Sequence, residues 1–418
     1  MAMALRDRGH DVAFYSGSRM QPLLAGEGLT AFPFRRVDEA RVLDIATRTE
    51  RIDSRKVGAA ASRDRTRQVF QEWLLGTIPD QVTDLKEIIR TWRPDVLATD
   101  PVLWGPSLVL WETTHLPVAV ASFLIGCPIE GRDAPPWGPG LPPPRNPWAR
   151  LRAQVVGAGI RLFSRAFRRR LDAVRAQFGL PPLSCSVNSF LGRLPLFVIP
   201  SVPALDYNRR DLPASVQYVG PCVWNRPTPE SAPVWLNELP AERPLVHVTE
   251  GTAHEQDAYV LRAAAQGLAN LPIEVVLTTG RHRDPTTLQL GHGAANIRVE
   301  RWVSHADLLP RCAALVTTGG AGTVLAALQA GVPMVVVPTH SDKPDNAQRV
   351  VEVGAGIRLS PRQCTPERLR AAVTRVLTEP RFQENARRLA ADLAAAPGPM
   401  GAAVCLEQLV PVTVTSVA

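Results

Sequence analysis

The stretch Leu315-Val-Thr-Thr-Gly-Gly-Ala-Gly-Thr323 sets three glycines, at 319, 320 and 322, between a β-branched run and a helical pattern. A strand that ends in Thr317 and Thr318 and turns through these glycines into a helix starting near Thr323 brings free backbone N–H groups and the positive end of a helix dipole to one point. That arrangement suits a phosphate or diphosphate; taken by itself it would also serve as a tight packing turn. No Gly-Lys-Ser/Thr follows, so it is not a Walker A loop, and its spacing is not Gly-x-Gly-x-x-Gly in a first βαβ unit. Asp100, at the end of the Val96-Leu97-Ala98 run, is a second polar residue where open parallel sheets bind ligands, or else a cap for the turn before Pro101. The six cysteines, Cys127, Cys185, Cys222, Cys312, Cys364 and Cys405, lie far apart without a Cys-x-x-Cys pair, which argues against a zinc site or a disulfide framework.

The elements that must carry these residues are those of an α/β protein. Short β-branched runs recur between helical patterns, the signature of parallel sheets with crossover helices. Runs at 11–15, 95–98, 118–122 and 195–199 form a first set, and runs at 245–249, 273–277, 297–300, 314–317 and 334–337 a second. The Pro-rich stretch from Trp224 to Pro233 separates them. The expected division is therefore 1–223, a linker over 224–235, a second unit over 236–396 and a C-terminal helix or tail over 397–418 that returns toward the first unit. The Pro-rich segment Ala134 to Pro147 reads as an excursion over the first unit.

Met1 to Arg8 reads as the last two turns of a helix closed by Gly9 and leading into a strand. A parallel sheet entered in this way expects a preceding strand and turn, roughly 15 to 20 residues on mean element lengths. The start lacks the apolar middle of a signal peptide and no run reaches the roughly 18 apolar residues of a membrane span, so the expected location is cytoplasmic. The 418 residues carry a net charge of +8. Its densest basic run, Arg161 to Arg175, reads as one amphipathic helix with a solvated face rather than a nucleic-acid patch.

Several pieces agree in order and spacing with one family: Trp302-Val-Ser-His305 with Leu308-Leu-Pro310, the Gly319 to Thr323 loop, Gly331-Val-Pro333 and Asp342-Lys-Pro-Asp-Asn-Ala347. Together they resemble the donor-binding region of the bacterial natural-product, macrolide-type glycosyltransferases of the UDP-glycosyltransferase superfamily. Weaker likeness in Arg8-Gly-His-Asp-Val12, Pro94 to Asp100, Val219-Gly-Pro221, Gly251-Thr252 and Ala396-Pro-Gly-Pro399 extends it over nearly the whole chain. The resemblance implies the GT-B fold, two Rossmann-like domains facing each other across a cleft. It implies that Trp302 stacks on a nucleobase and His305 bonds its edge or the ribose. Gly319, Gly320, Gly322 and Thr323 would hold the diphosphate with Thr252 opposite, and Asp342 and Lys343 would meet the donor sugar.

The sequence departs from that pattern in places. Thr318 stands where a His often contacts the diphosphate, Ala326 where a Glu grips the ribose, and Lys343 where a Gln is usual. The ammonium of Lys343 is expected to compensate for Thr318 by pairing with the diphosphate. The family's base His lies in the turn after the first N-terminal strand, a turn this sequence lacks; Asp100 matches its partner Asp, while His10 matches a structural position. Phe123, Trp104 and Trp137 are candidates for an apolar acceptor pocket, and Glu250 is a polar residue without an assigned role.

The resemblance implies an inverting transferase that moves a hexosyl or deoxyhexosyl group from a UDP- or dTDP-sugar to a hydroxyl of a small apolar acceptor, with no metal or cofactor. Two alternatives stand beside it: a catalytically impaired homologue that binds nucleotide or assists a partner protein, and a nucleotide-sugar epimerase on the same fold.

Overall fold

The computed structural model describes residues 1–50, 70–224, 233–251, 257–281, 283–288 and 294–410. All pairings among the described strands are parallel. In the N-terminal half, β1 (Ala13–Ser16) pairs with β2 (Thr30–Pro33) as a separate two-stranded sheet. The strands β3 (Leu97–Thr99), β4 (Val118–Ala121), β5 (Leu196–Ile199) and β6 (Val216–Tyr218) form a four-stranded sheet in that order. The C-terminal half holds six strands: β7 (Leu245–Thr249), β8 (Glu274–Thr278), β9 (Ile297–Glu300), β10 (Cys312–Thr317), β11 (Met334–Val336) and β12 (Gly356–Arg358). Their order is β12-β11-β10-β7-β8-β9.

Crossover helices cover both faces of a parallel sheet, so its central strands are apolar along their whole length. Accordingly β5, β7, β8 and β11 are buried at every residue. On one face of the C-terminal sheet, Val246, Val248, Val275, Ala314, Val316 and Val335 pack under the helices Tyr259–Gly267 and Pro366–Thr378. On the other, Leu315, Met334 and Val336 meet Val324, Leu328, Val350 and Leu389. The N-terminal sheet is built likewise, with Val118, Val120, Phe197 and Ile199 against Leu108, Leu171 and Phe190.

Six helices matter below. α1 (Ala2–Asp7) ends at Gly9, whose φ is +90°, as the closing glycine in the sequence requires. The basic run read as one helix is two: α2 (Pro147–Phe163) and α3 (Arg165–Ala176) meet at Ser164. The hydroxyl of Ser164 donates to the Arg161 carbonyl at 3.2 Å, a local bond that competes with helix continuation. α4 (Ala321–Gln329) follows β10, and α5 (Lys343–Glu352) follows β11. α6 (Gly398–Glu407) returns to the N-terminal half, where Ala402 and Leu406 pack on Ala119, Leu196 and Val198. Most of the expected linker, residues 225–232, and the end of the chain from 411 lie outside the described residues.

No single described helix is long and apolar enough to cross a membrane. All six cysteines are free.

Candidate active site

The strand order reverses between β7 and β10, because β7 leads outward to β8 and β9 while β10 leads to β11 and β12. Such a switch point opens a crevice beyond the C-terminal strand ends, the place where sheets of this kind bind ligands. The glycine loop lies there. Its Gly319 has φ +90°, and a Cβ at that position would stand 2.7 Å from Val336 Cγ1, so both backbone conformation and space require glycine. Gly320 and Gly322 differ: a Cβ on either would meet no atom within 4 Å, so open space lies before the start of α4. Gly320 is the N-cap of α4 and offers no side chain to its first N–H groups. The helix begins at Ala321, two residues earlier than expected, which puts Gly322 and the half-buried Thr323 in its first turn.

Thr318 does not face this space. Its hydroxyl donates to the Glu250 carbonyl at 2.9 Å and is buried, tying the two strand ends together across the crevice. Lys343 is buried too, with its ammonium 3.0 Å from Thr339 Oγ1. Both side chains thus have protein partners of their own, Thr318 on Glu250 and Lys343 on Thr339. Asp342 is the N-cap residue of α5, and Asn346 donates from its amide both to Asp342 Oδ2 (2.7 Å) and to the Gly319 carbonyl (2.9 Å). One side chain thus locks the start of α5 to the glycine loop.

Trp302 follows β9 and is 36% exposed, with the Arg281 guanidinium carbon 3.9 Å from its ring centroid. His305 opens the one-turn helix His305–Leu308, half-buried, and its pKa is lowered by burial. Its ring stands edge-on to His247 at 5.6 Å. His247, inside β7, was not singled out in the sequence; the signal for it is a histidine in a fully buried strand. Burial, then the neighbouring His305, pushes it down to about 3, and its Nε2 lies 3.0 Å from Thr278 Oγ1. Both rings are neutral at physiological pH.

Glu250 acquires a role from the structure. One carboxylate oxygen accepts the Val260 N–H at 3.1 Å and the other meets Arg283 at 2.6 Å, both residues being buried or nearly so. Burial raises its pKa against the pull of Arg283. It is an anchor that fixes the end of β7 to the next helix and to the loop after β8. Thr252 lies outside the described residues.

On the N-terminal side, Asp100 follows β3, and one of its oxygens accepts the N–H groups of Val102 (2.7 Å) and Leu103 (2.8 Å), capping that turn. His10 lies 2.8 Å from Glu407 of α6, which also binds Arg8; it is a surface contact between the chain's first and last helices. Of the three aromatics considered for the acceptor pocket, Trp104 is core, edge-on to Phe167, whereas Phe123 is 47% exposed and Trp137 half-buried.

The Pro-rich excursion does not stay on the N-terminal half as expected. Gly138 donates its N–H to Asp345 of α5 at 2.6 Å, Arg358 donates to the Gly140 carbonyl at 2.5 Å, and Arg145 pairs with Glu352 at 2.6 Å. Beside these, Arg349 of α5 meets Asp206 at 2.8 Å, with both side chains no more than 3% exposed, and lies 4.5 Å over the Tyr207 ring. A Cβ on Gly126 would collide with the Arg349 guanidinium, so glycine is what lets the cation pass. Burial alone would raise Asp206, but the Arg349 charge and hydrogen bonds from Tyr218, Cys127 and Tyr207 outweigh it and hold the carboxyl below its usual range. Burial pushes Asp345 up to about 6 despite Arg349 and the N–H groups of Gly138 and Gly140. The helix that starts at Lys343, after Asp342, is thus the one the other half grips.

The same architecture occurs in solved glycosyltransferases of the GT-B fold. The glycotransferase of kitacinnamycin matches with a TM-score of 0.71 at 24% identity, over 97% of this chain and 93% of that one. A spinosyn rhamnosyltransferase complexed with thymidine diphosphate matches with 0.64 at 22%, over 97% and 94%. In sequence, the 4'-demethylrebeccamycin synthase of Lentzea aerocolonigenes is 35% identical over 414 residues, 98% of this chain and 95% of that one. The model for the C-terminal domain of erythromycin biosynthesis protein CIII-like proteins matches residues 262–409. The chain belongs to the bacterial natural-product glycosyltransferases of the UDP-glycosyltransferase superfamily, nucleotide-sugar-dependent enzymes.

Proposed function

We propose that this transferase moves a hexosyl or deoxyhexosyl group, with inversion, from a dTDP- or UDP-sugar to a hydroxyl of a small apolar acceptor. The observation that carries this is the uncapped start of α4, open at Gly320 and Gly322, in the switch-point crevice. On this reading the acceptor oxygen attacks the anomeric carbon, the bond from that carbon to the diphosphate oxygen breaks, and the acceptor proton passes to water on the acceptor side. The diphosphate leaves toward the N–H groups of Gly320, Gly322 and Thr323, whose preset dipoles stabilise the developing charge. Trp302 and His305 take the nucleobase and Asp342 the donor sugar. Asp100 stands on the acceptor side at the position of the family's partner Asp, whose base His this sequence does not contain, and Phe123 and Trp137 line the acceptor.

Residues 1–223 form the acceptor domain in this account, 236–396 the donor domain joined through 224–235, and 397–418 the return to the acceptor domain. Helix-terminus donors do the work that a metal does in other transferases, so no metal or cofactor is needed. Six free thiols fit a reducing compartment such as the cytoplasm.

The test is calorimetry with dTDP and UDP, followed by transfer assays with their sugars in the presence of EDTA. Binding of one nucleotide and EDTA-resistant transfer are expected; no nucleotide binding would overturn the reading, and EDTA-sensitive transfer its metal-free part.

A further inference from the structure

Helix α2 wears its large apolar residues on the outside. Trp148, Leu151, Val155 and Leu162 are 80%, 50%, 62% and 60% exposed. Their spacing places them on one side of the helix. The side that holds α2 to the protein is made of small residues, with Ala153 and Gly157 buried. This inverts the usual surface helix, whose apolar stripe faces the core. At helical spacing the exposed Arg152 flanks the stripe on one edge, and the exposed Arg150 and Arg161 lie beyond the other. α3 continues the basic surface with exposed Arg165, Arg169 and Arg170. From residue 134 to 171 the sequence has eight arginines and no Asp, Glu or Lys. That local charge equals the whole chain's net +8, so the rest of the molecule balances to zero.

We propose that α2 and the start of α3 form a docking surface for an anionic lipid bilayer. An apolar stripe bordered by arginines matches the boundary between headgroups and acyl chains: Trp148, Leu151, Val155 and Leu162 sit below the phosphates and the guanidinium groups lie among them. Charge complementarity selects this occupant. A nucleic acid would use the arginines but leave the four apolar side chains in water, and an apolar partner alone would leave the +8 segment unmatched. The helix has 17 residues and carries arginines at 150, 152 and 161, so it lies on the membrane rather than across it. The inference is independent of which sugar or acceptor the enzyme uses.

The experiment is co-sedimentation of the full chain with phosphatidylcholine vesicles containing or lacking phosphatidylglycerol, at low salt. Binding to the anionic vesicles is expected, at least about tenfold stronger than to the neutral ones. Trp148→Ser with Leu151→Ser, and separately Arg150→Gln with Arg152→Gln and Arg161→Gln, should each weaken it by about tenfold or more. All these positions are exposed, so melting temperature and nucleotide affinity should stay unchanged in both variants. No vesicle binding overturns the proposal. So does full binding by the serine variant together with equal binding to duplex DNA, which would mark a merely basic surface. A wild-type dimer that becomes monomeric on Trp148→Ser, without vesicle binding, would assign the stripe to a second copy of the chain instead.

Discussion

Arg281 stands over Trp302, its guanidinium carbon 3.9 Å from the ring centroid, so the ring proposed to stack on the nucleobase already carries a cation. A nucleobase that stacks there must displace that cation. Trp302→Ala should weaken dTDP binding by about 1–3 kcal/mol, the usual worth of a base on an aromatic ring. Arg281→Ala should tighten it by about two- to fivefold, because an exposed cation–π contact of about 0.5–1 kcal/mol no longer has to be broken. Calorimetry in moderate salt, which suppresses long-range attraction to the phosphates, measures both. Unchanged affinity in Trp302→Ala would leave the indole as a partner of Arg281 only.

The Asp206–Arg349 pair is buried on both sides and joins the two halves. Removing one partner leaves an uncompensated buried charge, so Asp206→Ala should cost about 3–5 kcal/mol in urea unfolding. Arg349→Ala should cost a similar amount, and the double variant far less than the sum of the two. Additive losses would show that the ions are not coupled.

Asp345 titrates in an accessible range. Its folded carboxyl holds a proton up to about 6, against 3.8 for the unfolded chain, so this group favours folding most below 3.8 and that contribution is lost as pH rises through 6. Relative to Asp345→Asn, the wild type should lose about 1.4 kcal/mol per pH unit across that window and then level off. Parallel stability curves for the two proteins would refute the assignment.

Asp100 caps its turn through one oxygen, a bond that an asparagine oxygen can also accept. Asp100→Asn should therefore keep the melting temperature. If the carboxylate assists removal of the acceptor proton, kcat should fall by about 10²–10⁴. An unchanged kcat would make Asp100 a turn cap and nothing more.

Legibility in the sequence followed the range of the interactions. The nine apolar or β-branched runs all became strands; six of them, β4, β5, β7, β8, β10 and β11, are buried over most or all of their length. Those not foreseen, β2, β6 and β12, are sheet edges of three or four residues with side chains exposed in part, an edge position that β1, β3 and β9 share. The glycine loop was legible because its conformational demand is local. Contacts across long separations were not: Arg349 and Asp206 stand 143 residues apart, and Gly138 and Asp345 stand 207 apart. The destination of the excursion, the burial of Lys343 and the tie from Thr318 to Glu250 all depend on such meetings.

The grip of the N-terminal half on α5 sets rules for recombination among relatives. A crossover in the 224–235 stretch would part Gly126, Gly138, Gly140 and Asp206 from Arg349, Asp345 and Arg358. A chimera inherits a working seam only when the two parents agree at those positions. Exchanging the N-terminal half is therefore also a wager on the helix capped by Asp342, and a foreign side chain at position 126 would unseat Arg349 from the seam.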